Sequence, residues 1–260
     1  MSYTIAVAGK GGTGKTTIAS LIIAQLLSEK NGSILAVDAD PNSTLNESLG
    51  VKLEYTLGDV REDMLKHKYD LPGGMDKHRY MQYRLQTCLV EEKGFDLLAM
   101  GRTEGPDCYC YVNNLLRGIM DEFSSNYKYV VMDNEAGMEH LSRRTTRNVD
   151  LLLIISDESV IGVRTAGRIY QMSKGLNLNL GDAYLVINRT HEHLPEPVIA
   201  EAEKIKSKLL GTVPVDENIV EYELAGKSLL LLPDDSPARA AVRELLKIAR
   251  EKGGLENGAK

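Results

Sequence analysis

The chain has 260 residues, of which 43% are hydrophobic and 26% are charged, and its formal net charge is −6 at pH 7. This is the composition of a globular protein long enough to bury a sizeable core, and an α/β fold of this length need not be divided into two domains. The negative charge argues against a nucleic-acid partner, although it is compatible with a local basic patch. No apolar stretch reaches the roughly 18 residues of a membrane-spanning helix, and the N-terminus has no signal-peptide pattern, so we expect a cytoplasmic protein.

Apolar runs typical of buried strands recur along the chain, with helix-length segments between them. Runs that are apolar on both faces are typical of a parallel sheet covered on both sides. The sequence therefore predicts a doubly wound α/β fold, with a mostly parallel sheet and helices on both faces. We expect a single domain over residues 1–260 with a frayed tail at 253–260. The predicted strands are 3–8, 33–38, 95–100, 129–133, 151–155, 183–188 and 210–214.

The region 54–93 is the least regular part of the sequence, and Pro72, Gly73 and Gly74 predict a turn between helices there. No internal repeat or low-complexity tract is visible. The regular pattern of strands and helices therefore continues on both sides of one irregular region.

A glycine-rich loop follows the first predicted strand. The pattern G-x-x-x-x-G-K-[ST] is met by Gly9, Gly14, Lys15 and Thr16, and a helical apolar pattern follows over 17–28. In such a loop the backbone N–H groups face phosphate oxygens, the lysine reaches the β- and γ-phosphates, and the hydroxyl binds Mg²⁺. The sequence thus predicts a nucleotide-binding loop made of Gly9, Lys10, Gly11, Gly12, Thr13, Gly14, Lys15, Thr16 and Thr17.

Aspartates end two of the predicted strands, and a third follows closely. In an open parallel sheet the ligand lies beyond the carboxyl ends of the strands, so Asp38, Asp40 and Asp133 are placed to face phosphate and metal. Asp133 closes the run Tyr-Val-Val-Met-Asp and is predicted to hold Mg²⁺ directly or through water. For Asp38, capping of the next helix is an equally good interpretation.

The loop contains a second lysine, Lys10, at a position where the general motif has no fixed residue. The sequence K-G-G-x-G-K-T resembles the deviant Walker A loop of the MinD/ParA and nitrogenase-iron-protein group of P-loop ATPases. In that group the signature lysine crosses a dimer interface to the partner's nucleotide. The resemblance spans nearly all of the chain and implies slow, dimer-dependent hydrolysis of ATP to ADP and phosphate.

The resemblance also assigns roles to individual residues. It implies that Lys10 and Asp40 are catalytic, with Asp40 positioning or activating the attacking water. The magnesium site would be formed by Thr16, Asp38 and Asp133. The expected partner is a second copy of the chain, as a homodimer in the ATP-bound state.

An adenine site is implied further along the chain. Asn188 resembles the family's base-reading asparagine, whose amide can both donate to and accept from a purine edge. An asparagine at the end of a strand commonly forms a turn, so the base-reading role of Asn188 is assigned mainly from its position in the chain relative to the other motifs. Residues 213–216 resemble the second base-contacting segment, with Pro214 and Val215 against the ring. The implied base-side residues are Asn188, Arg189, Pro214, Val215 and Asp216.

Cys108 and Cys110 form a Cys-x-Cys pair at or just before the start of a predicted helix. A helix N-terminus lowers the pKa of a thiol, and the thiolate is the form that binds metal. Two sulfurs leave a four-coordinate site half filled, so two chains would supply four thiolates to one shared ion, Ni²⁺ or Zn²⁺. A redox pair and two small buried residues are the alternatives. The third cysteine, Cys88, has no predicted role.

The Lys10 loop, residues 38–41, the cysteine pair and residues 132–141 together resemble the CooC type of ATPase. That resemblance implies an ATP-dependent metallochaperone that delivers nickel to carbon monoxide dehydrogenase or acetyl-CoA synthase, with a homodimer also in the metal-bound state. Nitrogenase iron protein fits less well, because it needs a cysteine after Asp133 and none follows here. A MinD/ParA-like positioning ATPase and an iron–sulfur scaffold ATPase are the alternatives.

The C-terminal helical pattern bears on the positioning alternative. Residues 238–252 combine basic and apolar side chains, as membrane-targeting helices do. The spacing of Leu245, Leu246 and Ile248 instead predicts a helix docked on its own sheet. We therefore expect no stable membrane anchor.

Overall fold

The computed structural model describes residues 2–66, 76–101, 118, 122–136, 148–175, 179–205 and 208–253. The strands in these residues are β1 (Tyr3–Gly9), β2 (Ile34–Ala39), β3 (Val90–Glu92), β4 (Phe95–Ala99), β5 (Tyr129–Asn134), β6 (Asn148–Ser156), β7 (Asn179–Thr190) and β8 (Lys208–Pro214). They form one sheet in the order β3-β4-β2-β5-β1-β6-β7-β8. All neighbouring pairs are parallel except the edge pair β3 and β4. The seven predicted strands are confirmed.

Helices cover both faces of the sheet, as predicted. Along β1, Ile5 and Val7 pack in the hydrophobic cluster that contains Ile22 of the first helix, while Ala6 and Ala8 belong to the cluster on the opposite face. This alternation is what a doubly wound sheet requires. The helices are α1 (Lys15–Glu29), α2 (Leu45–Leu49), α3 (Leu57–Lys66), α4 (Lys77–Cys88), α5 (Val160–Gly175), α6 (Glu196–Glu203), α7 (Glu217–Leu224) and α8 (Pro237–Lys252), with a 3₁₀ turn at Leu229–Leu231.

The C-terminal helix α8 is docked, as its apolar spacing predicts. Val242, Leu245 and Leu246 are buried in the same cluster as Ile22 of α1, and Ile248 packs against that cluster. Arg250 forms an ion pair with Glu29 of α1 at 2.9 Å. In the part of the chain that the structure describes, no helix is both long and apolar enough to span a membrane.

Three features of the sequence lie outside the described residues. They are the turn at 72–74, the pair Cys108 and Cys110, and the tail beyond residue 253. Helices α3 and α4 do lie on either side of the predicted turn.

Candidate functional site

The glycine-rich loop connects the centre of the sheet to α1. Gly12 and Gly14 have φ angles of 78° and 87°, in the left-handed region that favours glycine. A Cβ at Gly14 would lie 2.3 Å from Nδ2 of Asn188. The loop is also held from within, because the backbone N–H and the hydroxyl of Thr13 donate to the Lys10 carbonyl at 3.4 and 2.8 Å. The loop therefore has the left-handed backbone conformation that glycine favours, and at Gly14 it also has a contact too close for a side chain.

The two lysines of the loop lie in different environments. Lys15 is only 8% exposed, and its Nζ lies 3.5 Å from the Lys10 carbonyl oxygen. The Lys10 residue is exposed. A buried lysine inside the loop suits phosphate contact within one chain, whereas an exposed one is accessible to a second molecule.

The strand-end aspartates meet beside the loop. Asp38 of β2 and Asp133 of β5 are register partners on adjacent strands, and they are 0% and 1% exposed. The Thr16 hydroxyl donates to Oδ2 of Asp133 at 2.6 Å. Burial raises the pKa of Asp38 to about 6 and that of Asp133 to about 7, since neither carboxylate has enough nearby positive charge to offset desolvation.

This group of oxygen atoms fits a magnesium ion. Oδ1 of Asp133 is buried and has no hydrogen-bond partner among the described residues, so one carboxylate oxygen is left for a ligand. Mg²⁺ prefers oxygen ligands, and it is usually bound by one or two carboxylates together with substrate phosphates. Among the described residues no group of three or more His, Cys, Asp or Glu is suited to hold a metal.

Asp38 shapes the segment that follows β2. Its Oδ1 accepts from the Asp40 N–H at 3.0 Å, and its Oδ2 accepts from the Leu45 N–H at 2.9 Å, in the first turn of α2. Asp40 in turn accepts from the backbone N–H and the side-chain amide of Asn42, at 2.9 and 3.0 Å. The helix-capping interpretation of Asp38 thus matches its contacts, and Asn42 fixes the orientation of the Asp40 carboxylate.

Thr44 and Asn42 are two residues of this segment that the sequence analysis missed. Thr44 precedes α2 at the N-cap position, but its hydroxyl makes no capping hydrogen bond. Its Oγ1 lies 3.5 Å from Oγ1 of Thr16 instead. A threonine just before a helix is normally interpreted as a cap, but in α2 the Leu45 N–H donates to Asp38 and not to Thr44.

The expected base-side residues lie against the loop. The Asn188 amide donates to the Thr13 carbonyl at 2.8 Å, and the Arg189 guanidinium donates to the Gly12 carbonyl at 3.2 Å. Arg189 adopts a left-handed φ of 56° at the end of β7. These contacts place the end of β7 directly beside the phosphate loop.

The second base-side segment follows β8. Thr190 is the register partner of Pro214, and the Val215 N–H donates to the Thr190 carbonyl at 3.1 Å. Val215 is 47% exposed. An apolar side chain that is half exposed beside Thr190, at the end of the strand that carries Asn188, is available to a planar ligand.

The carboxylate of Asp216 makes all of its observed hydrogen bonds within the protein. Its Oδ1 accepts from the N–H and the side-chain amide of Asn218, and its Oδ2 accepts from the hydroxyl of Ser236 and the N–H of Ala238. Burial raises the pKa of this carboxyl, but the hydrogen bonds outweigh burial and leave the pKa below its ordinary value. The Asp216 carboxylate thus joins the N-termini of α7 and α8.

Cys88 is the one cysteine among the described residues. It is buried, and its Sγ donates to the Thr56 carbonyl at 3.3 Å. Burial raises the pKa of this thiol to about 11. Cys88 therefore behaves as a packing residue, and the predicted metal pair lies outside the described residues.

Comparisons with known proteins agree with this geometry. A family model, the CobQ/CobB/MinD/ParA nucleotide binding domain, matches residues 4–230. An ATP-binding protein of Methanocaldococcus jannaschii is 45% identical over 95% of this chain and 99% of its own length. The carbon monoxide dehydrogenase accessory protein CooC of Rhodospirillum rubrum is 29% identical over 98% of both chains. MinD of Pyrococcus horikoshii, solved as its complex with Mg-ADP, has a TM-score of 0.67 at 20% identity over 99% of this chain and 98% of its own.

Proposed function

The chain is an ATPase of the CobQ/CobB/MinD/ParA nucleotide-binding family, and from that premise we propose that it uses slow, dimer-dependent ATP hydrolysis to deliver nickel. The observation that carries the nickel assignment is the similarity to the CooC protein, which extends over 98% of both chains. The client would be carbon monoxide dehydrogenase or acetyl-CoA synthase.

In this proposal ATP lies across the loop of residues 9–17, with its base between Asn188 and the segment 214–216. Lys15 binds the phosphates, and Thr16 and Asp133 hold Mg²⁺, with Asp38 in a supporting role. The unpartnered oxygen of Asp133 supports this placement. When bound, the ion neutralises charge that develops on the phosphates.

The hydrolytic step needs two further residues. Asp40 positions or activates the attacking water, and Asn42 keeps its carboxylate in one orientation through two hydrogen bonds. Lys10 reaches the nucleotide of a partner chain, which its exposure supports. A lone subunit then has an incomplete site, so hydrolysis waits for dimer formation.

The cargo metal would be held between two chains by Cys108 and Cys110. Two thiolates from each chain complete a four-coordinate site, which suits Zn²⁺ in tetrahedral geometry or Ni²⁺ in a square-planar one. If ATP and metal favour the same dimer, each raises the affinity of the other by the same factor. ATP hydrolysis would then weaken the metal site and release the ion.

Metal content and mass test this proposal. We would measure ions per chain by elemental analysis and mass by light scattering, with and without nucleotide. The wild type should hold one ion per dimer, and Cys108→Ala/Cys110→Ala should lose the ion while keeping ATP binding. Cys88→Ala is the matched control and should keep the ion, because that thiol is buried and donates to the Thr56 carbonyl. One ion per monomer, or unchanged binding in the double variant, contradicts the shared site.

A positioning ATPase is the second candidate, and the fold similarity to MinD favours it. The burial of the apolar face of α8 counts against it, because a docked helix offers no large apolar surface to a membrane. ATP-dependent sedimentation with anionic vesicles would support this candidate. Visible absorbance after anaerobic purification would instead support an iron–sulfur scaffold.

A further inference from the structure

We propose that the groove between α5 and α6 binds an acidic segment of the client enzyme, which places a carboxylate on Arg168 and an apolar side chain on Met172. The inference rests on the proposed function, because the client is the nickel enzyme named there. It adds a docking surface whose lining shares no residue with the loop of residues 9–17 or with the strand-end aspartates.

The shape of the groove depends on a glycine of α5. Gly167 lies against the chain just beyond α6, and a Cβ added to it would lie 3.2 Å from Cγ1 of Ile205. The cavity at this place has a volume of about 480 Å³ and is lined by Arg164, Gly167, Arg168, Gln171, Met172, Glu201, Lys204 and Ile205. The first four of these residues are spaced i, i+3, i+4 and i+7, so one face of α5 forms a continuous wall.

The groove is positively charged, although the chain has a net charge of −6. Among the lining residues that the structure describes, Glu201 is the one carboxylate, and it pairs with Arg164 at 2.8 Å and with Lys204 at 3.0 Å. Arg168 is exposed and makes no ion pair or hydrogen bond with any described residue. Its guanidinium is therefore available to an anion from outside, and it can bind a carboxylate through two parallel hydrogen bonds.

The apolar part of the groove determines which kind of anion fits. Met172 is 45% exposed one turn beyond Arg168, and Ile205 packs partly buried against the core. A methionine side chain adapts to irregular surfaces, and both Met and Arg are enriched in protein interfaces. A nucleic-acid backbone would use neither apolar side chain and would bring its phosphates close to the Glu201 carboxylate. An acidic protein segment with an apolar side chain is complementary to both parts of the groove.

The test is the binding of the two possible clients. Nickel-free carbon monoxide dehydrogenase and acetyl-CoA synthase would each be immobilised, and binding of the wild type, Arg168→Glu, Arg168→Lys and Met172→Glu would be measured by biolayer interferometry. Arg168→Glu reverses the charge and should weaken binding by about tenfold or more, as expected for an arginine at the centre of an interface. Arg168→Lys should lose less, because it keeps the charge without the paired hydrogen bonds. Met172→Glu should also weaken binding.

Lys247→Glu is the matched control. It makes the same change of charge at an exposed residue of α8, which packs on the opposite face of the sheet from α5, and it should leave client binding unchanged. Arg168→Glu should keep the ATP affinity and the thermal midpoint of the wild type, because the side chain that it replaces is exposed. A clear drop in the midpoint would show that Arg168 stabilises the fold, contrary to this inference.

The outcomes separate this inference from the function on which it rests. If the wild type binds a client and Arg168→Glu binds it equally well, the groove is not the docking surface, and the proposed client stands. If the wild type binds neither enzyme, the proposed client is wrong, and this inference with it. If Arg168→Glu loses affinity for duplex DNA but not for the enzymes, the groove binds nucleic acid, and the inference is refuted.

Discussion

Replacing Asp216 by alanine should cost more stability than any ordinary surface substitution. The residue is 5% exposed, and its carboxylate accepts four hydrogen bonds, two of them from backbone N–H groups at the starts of α7 and α8. Loss of one cap costs about 0.5–2 kcal/mol, and a carboxylate at a helix N-terminus also interacts with the helix dipole. For two helices we expect a loss of about 2–4 kcal/mol from the free energy of unfolding.

The assay is urea unfolding followed by circular dichroism at pH 7. Asp235→Ala is the matched control, because Asp235 is exposed one residue before the N-cap Ser236 of α8. Asp216→Asn should lose roughly half as much as the alanine variant, since one acceptor oxygen remains. A loss in Asp216→Ala within about 0.5 kcal/mol of the control would refute the double-cap interpretation.

The same residue predicts a pH dependence whose sign follows from its pKa. Hydrogen bonds hold the folded-state pKa of Asp216 below its ordinary value despite burial, so the unfolded chain binds the proton more tightly. The stabilising contribution is then complete above about pH 4 and is lost as the pH falls through the folded-state pKa. The difference in unfolding free energy between the wild type and Asp216→Asn should be smaller at pH 3 than at pH 6, and a constant difference contradicts the assignment.

Three further predictions concern the loop and the buried thiol. Lys10→Ala should keep ATP affinity but lose turnover, and hydrolysis at the wild-type rate would contradict a lysine that acts across an interface. Gly14→Ala should weaken ATP binding and should lower the free energy of unfolding more than Gly226→Ala does. Both glycines have a positive φ, but only at Gly14 does another atom lie within 4 Å of the added Cβ. Equal losses in urea unfolding would contradict the steric argument. In the Cys108→Ala/Cys110→Ala variant, Cys88 should react with a thiol reagent only when the protein unfolds. Burial raises the pKa of this thiol from 9.0 to about 11, so its reactive thiolate is roughly 100-fold scarcer. Rapid labelling of the native protein would contradict this prediction.

The strands could be predicted because most of them are continuous apolar runs that are buried in the sheet. The exception is β3 (Val90–Glu92), which is too short to show a hydrophobic pattern and ends in two exposed glutamates. It pairs with β4 across the two residues Lys93 and Gly94, and Gly94 has a φ of 95°. That two-residue turn was the available signal, since glycine in such a turn is typical of a hairpin.

The phosphate loop could be predicted because its chemistry is contained in nine consecutive residues. The role of Asp216 could not, because its partners Ser236 and Ala238 are 20 and 22 residues away. Order along the chain predicts that Asp216 belongs to a base-contacting segment. Its carboxylate also caps α8, a contact that no local pattern reveals.

The segment after β2 shows why the site behaves as a unit. Asp38 accepts from the Asp40 and Leu45 N–H groups, so the shape of this segment depends on a carboxylate that is fully buried and in register with Asp133. Two neighbouring buried carboxylates repel each other, and a divalent cation at Asp133 offsets that repulsion. With Mg²⁺ at Asp133 as proposed, metal binding would favour the same charged Asp38 that accepts from the Asp40 N–H. By linkage, we expect a change that loosens this segment to weaken the affinity for the magnesium–nucleotide complex as well.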